Sequence, residues 1–171
     1  MSVLSQAVGV VVIILNAIAP HRKAKSSVLL FLLLGNVLTV VQFALLGATT
    51  EVAVIAISTI RSLCFFLYSR RDKRAPLWLL AVFIALQCGA VAATWGGPLS
   101  LLVLFDVVQT YGQWQTNMKV LRMCTIVASI PLAIYDLLVK GFTGALNQII
   151  QAVSASIALW HKHYRKGRPA A

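Results

Sequence analysis

Seven apolar runs, each about 20 residues long and parted by loops of two to six residues, restrict what this chain can fold into. They cover 3–20, 27–47, 50–69, 76–95, 99–117, 121–139 and 142–161. A helix of ~20 residues crosses the hydrocarbon core of a bilayer. Within lipid every backbone N–H and C=O must be paired, and only helices and closed barrels achieve that. Unbroken apolar runs without two-residue alternation select the helix. Composition agrees, because 60% hydrophobic and 11% charged side chains leave too few polar groups to cover a soluble domain of 171 residues. Pro20, Pro76 and Pro98 lie at or just outside run ends, where a missing N–H does least harm.

A net charge of +11 raises the question of nucleic acid, and the placement of the charge excludes it. The basic residues fall in short clusters between apolar runs, with no interleaved aromatics to stack on bases. Thirteen of the 15 basic residues occupy alternate loops: Arg22 to Lys25, Arg70 to Arg74, Lys119 to Arg122, and Lys162 to Arg168. The opposite loops carry only Lys140. By the positive-inside rule the amino terminus is outside and the carboxyl terminus cytoplasmic. Ala17-Ile-Ala19 resembles a signal-peptidase site, but basic residues follow the first run instead of preceding it, so this run is expected to remain as a span.

A shift of 92 residues lays Leu45 and Leu46 on Leu137 and Leu138, Ser62 on Ser154, and Leu67 on Leu159. Run lengths, loop lengths and basic clusters coincide under the same shift. Spans one to three therefore match spans five to seven, and a single connecting span makes the two triplets parallel. The expected fold is an all-α integral membrane protein of seven transmembrane helices. Two parallel three-helix bundles, residues 1–74 and 98–171, are joined by a linker helix within 75–97.

Polar residues inside the spans are the candidates for function, since each must find a partner in protein, water or ligand. At ~1.5 Å per residue, Arg61 lies about 16 Å down span three and Asp106 about 12 Å down span five. Gln151 lies about 14 Å down span seven and Asn36 about 14 Å up span two. These four share a layer near the midplane. Arg61 and Asp106 are expected to pair, either as a gate or anion-binding group or as a tie between bundles. Ser58, Arg61 and Ser62 share one face of span three. Asn147, Gln151, Ser154 and Ala158 share one face of span seven, and such faces suit a cavity wall or close helix packing. The expected solute-binding set is Asn36, Ser58, Arg61, Ser62, Asp106, Asn147 and Gln151. Asp136 and Lys140 are spaced for an interfacial ion pair. Trp78, Trp95, Tyr111, Trp114, Trp160 and Tyr164 form an expected aromatic belt. Cys64, Cys88 and Cys124 read as buried free thiols.

The 3+1+3 plan is similar to that of the SWEET/PQ-loop/MtN3 superfamily. In local sequence the chain resembles the YgjV-type family of bacterial inner-membrane proteins. Gln6-Ala-Val-Gly9, Leu45-Leu-Gly47, Ile60-Arg61 and Asn147 carry that likeness. The superfamily resemblance implies a carrier of small solutes through the gap between two triple-helix bundles. The chain differs in having no Pro-Gln dipeptide and only Pro131 as a mid-helix proline, without a four-proline hinge set. No phosphate-cradling glycine loop, His-Glu-x-x-His or Gly-x-Ser-x-Gly motif occurs, so neither enzymatic activity nor a cofactor is expected. No metal is expected, since His161 and His163 alone are too few ligands. The expected partners are the lipid bilayer and a small polar or anionic solute, without nucleic acid. A homo-oligomer is compatible with the sequence. The alternative function is a non-transporting membrane protein that binds a partner protein or lipid.

Overall fold

The computed structural model describes residues 3–22, 24–45, 49–71, 73–93, 98–138 and 142–166. Among the described residues there are seven α-helices and no strand. They are α1 (Val3–Ile18), α2 (Lys25–Leu45), α3 (Thr49–Arg70), α4 (Leu77–Ala93), α5 (Asp106–Trp114), α6 (Met118–Leu138) and α7 (Phe142–Lys166). Short 3-10 segments follow α1 (Ala19–His21) and precede α5 (Pro98–Phe105). On length and hydropathy, α6 and the part of α7 from Phe142 to Trp160 suffice to cross a membrane.

The packing is inside out relative to a soluble protein. Apolar stripes face outward, as with Leu30, Leu34, Val37 and Val41 on α2 and Val127, Ile130, Ile134 and Leu137 on α6. Polar side chains are turned inward, among them Asn16, Arg61, Gln87, Thr110, Gln113, Arg122 and Gln151. An apolar exterior around a polar interior is stable in lipid and not in water. Hydroxyls that do not reach another helix bond back to their own: Thr39 donates to Gly35 O and Thr59 to Ile55 O, both at 2.8 Å.

Helices adjacent in sequence pack together, α1 on α2, α2 on α3, α5 on α6 and α6 on α7. Two further contacts close the arrangement, α3 on α5 and α7 on α1, while α4 lies against α3 and α5. Glycines set two close approaches. A Cβ on Gly112 of α5 would meet Cys124 Cβ of α6 at 2.6 Å, and one on Gly35 of α2 would meet Asn16 Oδ1 of α1 at 2.7 Å. Toward the basic end, Leu29, Phe65, Leu79, Leu80, Phe83 and Trp114 form an apolar cluster. Phe65 and Phe83 meet there edge to face at 5.8 Å. Ala19, Val28, Leu32 and Leu121 form a second cluster at the same end.

Span five differs from expectation, because its first eight residues are wound as a 3-10 helix and its last nine as an α-helix. The tighter winding rises ~2.0 Å per residue against ~1.5 Å, so the whole segment reaches about 30 Å, a full hydrocarbon core. It also places Asp106 about 16 Å below Pro98, level with Arg61, about 18 Å below Thr49. The free thiols also differ: Cys64 and Cys124 are partly buried, but Cys88 is exposed on the outer surface of α4.

Candidate functional site

The centre of the structure is built on α3, where i, i+3, i+4 spacing turns Ser58, Arg61 and Ser62 to one side. Helix α5 meets it with Asp106, Gln109, Thr110 and Gln113 at i, i+3, i+4, i+7. Arg61, only 2% exposed, donates from Nη1 to Asp106 Oδ2 at 2.7 Å and to Thr110 Oγ1 at 2.6 Å. Its Nη2 reaches Asp106 Oδ1 at 3.5 Å. Gln87 of α4 donates to Asp106 Oδ2 at 2.6 Å, and Ser58 Oγ does so at 3.4 Å. The Thr110 hydroxyl has two acceptors in reach, Gln87 Oε1 at 2.8 Å and Asp106 O at 2.9 Å. Asn36 of α2 donates to Ser62 Oγ at 3.2 Å, and Ser62 donates to Gln113 Oε1 at 3.3 Å. Four helices thus share one ion pair and its relays. Charge-assisted bonds in a water-poor interior are the strong ones, so this cluster is a rigid joint.

A second polar group lies between α1 and α7. Asn16 Nδ2 donates to Asn147 Oδ1 at 3.0 Å, and Ser154 Oγ donates to Ala17 O. Asn16 and Gln151 are 4% and 6% exposed, and neither Asn16 Oδ1 nor Gln151 Oε1 has a hydrogen-bond partner. Both residues line one cavity with Val28, Leu32, Arg122 and Thr125. It holds about 10 Å³ for the centre of a water molecule, room for about one water. Arg122 closes the basic end of this seam, donating to Pro20 O at 3.0 Å, Ala158 O at 3.3 Å and Arg22 O at 3.4 Å.

The model of the Imp-YgjV family, described as a bacterial inner membrane protein, matches residues 3–166. The chain belongs to that family. It is therefore a bacterial inner membrane protein. No curated protein and no solved structure matches it.

In this YgjV-family chain the seven expected solute-binding residues fall into two groups. Asn36, Ser58, Arg61, Ser62 and Asp106 are joined by hydrogen bonds. Asn147 and Gln151 stand apart at the α1–α7 seam with Asn16. The expected ion pair forms at 2.7 Å. Gln87, Thr110, Gln113 and Asn16 belong to the two clusters and were not expected there. Arg122, read as a loop charge, is instead buried in the second turn of α6. Trp114, expected in the aromatic belt, is buried with its indole N–H donating to Ala75 O at 2.7 Å. The Asp136 carboxylate sits where a Cβ on Gly144 would meet Oδ2 at 2.7 Å. Its expected partner, Lys140, lies outside the described residues, as do the Trp95 and Tyr164 side chains.

Proposed function

We propose that this protein is a carrier for small, neutral polar solutes, working between two parallel three-helix halves, α1–α3 and α5–α7. The observation that carries the reading is the pair of amide oxygens, Asn16 Oδ1 and Gln151 Oε1, buried without a donor on one cavity. Unpaired acceptors at that depth cost free energy until a hydroxyl or N–H meets them, so they select a hydrogen-bond-donating ligand. Asp106 neutralises Arg61, which removes the motive for an anionic solute.

The parallel-repeat plan has support from the packing. In a two-fold arrangement the third helix of each half meets the first helix of the other, as α3 does with α5 and α7 with α1. Ser62 and Ser154, equivalent under the 92-residue shift, both donate across these contacts, to Gln113 and to Ala17 O. The seam would open and close on alternate sides, with the apolar clusters at the basic end as the closed barrier on that side. The positive-inside pattern makes that end cytoplasmic.

The test is uptake into proteoliposomes of a panel of small polar and anionic solutes. Gln151→Leu should abolish uptake while leaving folding and insertion nearly intact. Full uptake by that variant, or no uptake of any solute by the unaltered chain, would sink the carrier reading. A non-transporting bundle is the second reading, favoured by the pairing of Arg61 with Asp106 and the small size of the cavity.

A further inference from the structure

We propose that the basic end of the structure binds the phosphate of an anionic phospholipid headgroup between Lys25 and Arg74, on a platform made by Trp114. This site is separate from the solute cavity and does not depend on the carrier reading.

Trp114 is a fixed base: it is nearly buried, and its indole N–H is held by Ala75 O at 2.7 Å. Two cations from distant parts of the chain converge on it. The Arg74 guanidinium lies 3.7 Å from the ring centroid, and its Nη2 donates to Gln115 Oε1 at 3.4 Å. The half-buried Lys25 ammonium donates to the Trp114 carbonyl at 3.4 Å. Among the described residues every one of these partners is neutral, so the cluster holds two positive charges with no described carboxylate beside them. The described carboxylates are elsewhere, Asp106 with Arg61 and Asp136 against Gly144 of α7. Asp72, the one acid in the basic loops, lies outside the described residues.

Like charges held together are repulsive until an anion bridges them, and a phosphodiester offers two oxygens for that purpose. The depth of the site selects the source of the phosphate. Trp114 ends α5 on the same side as the basic loops, and the ring of exposed Tyr111 packs 6.0 Å from it. Aromatic rings at a span end mark the headgroup level, where cationic pockets meet anionic lipids.

The experiment uses the full chain in a neutral detergent, titrated with phosphatidylglycerol or phosphatidylcholine and followed by native mass spectrometry. The Lys25→Gln/Arg74→Gln double variant should bind phosphatidylglycerol roughly tenfold more weakly, with phosphatidylcholine unchanged. A control pair, Arg71→Gln/Lys119→Gln, removes equal charge from exposed positions at the same end and should stay within about twofold. Equal losses in both pairs would mean diffuse attraction to the basic surface and would overturn the site. So would unchanged binding by the Lys25/Arg74 pair. Displacement of the lipid by equimolar glycerol phosphate would assign the site to soluble phosphate and overturn the headgroup. If the double variant does not fold, Lys25→Gln alone decides, because that side chain makes a single long hydrogen bond. A loss of roughly threefold supports the site and no loss overturns it.

Discussion

Changing Asp106 to Asn leaves a buried guanidinium without its anion, and the resulting loss of stability can be bounded. Breaking one side of a buried ion pair costs ~3–5 kcal/mol, because the remaining charge stays buried. Arg61 would keep its bond to Thr110 at 2.6 Å, and an amide at position 106 could still meet Gln87, so the low end applies, about 3 kcal/mol. Arg61→Met should cost about the same. It strands the Asp106 carboxylate, but Gln87 at 2.6 Å and Ser58 at 3.4 Å still donate to it. Independent effects would sum to about 6 kcal/mol in the double variant, whereas a coupling of about 2 kcal/mol lowers that to about 4 kcal/mol. The measurement is reversible unfolding in mixed micelles of rising denaturing-detergent fraction, on the four members of the cycle. Losses that add within ~0.5 kcal/mol would refute the coupling. An Asp106→Asn cost below ~1 kcal/mol, the range of ordinary interhelical hydrogen bonds in membranes, would refute the buried-charge argument itself.

Two glycines offer a matched comparison in the same assay. Gly112→Ala must push a Cβ to 2.6 Å from Cys124 Cβ and should destabilise by ~1–3 kcal/mol, whereas Gly89→Ala has nothing within 4 Å and should be neutral or slightly stabilising. Equal effects at the two positions would refute the close α5–α6 approach. Topology is checked by fusion: a cytoplasm-active reporter should work when joined after Ala171, and a working periplasm-active enzyme there would reverse the assignment.

The Arg61–Asp106 pair was legible because each is a lone charge in an apolar run, and counting residues gives its height in the membrane. Height alone placed Gln151 with them, and the fold separates it, because depth says nothing about which helices are neighbours around the bundle. Gln87 was within reach of the sequence as a long amide in an otherwise apolar helix, but span four had been read only as a connector. The stripe Asp106, Gln109, Thr110 and Gln113 was also visible at helical spacing. It was overlooked because the expected solute site drew on charges and on span seven. Arg122 was misplaced by a rule that counts basic residues at span ends as solvated. Nothing in its sequence neighbourhood announces the three carbonyls that surround it. Nor does hydropathy distinguish 3-10 from α winding in a run such as Pro98–Phe105.

That winding has a consequence for register. A 3-10 residue turns the chain by about 120°, and an α residue by about 100°. Over the eight residues ahead of Asp106 the difference accumulates to roughly 160° of rotation and about 4 Å of length. With the Pro98 end held in place, winding the same segment as an α-helix would turn the carboxylate nearly half a turn away from Arg61. The pitch of 98–105 therefore aims the acid, so a sequence change confined to those eight positions can break the ion pair while both of its partners remain in place.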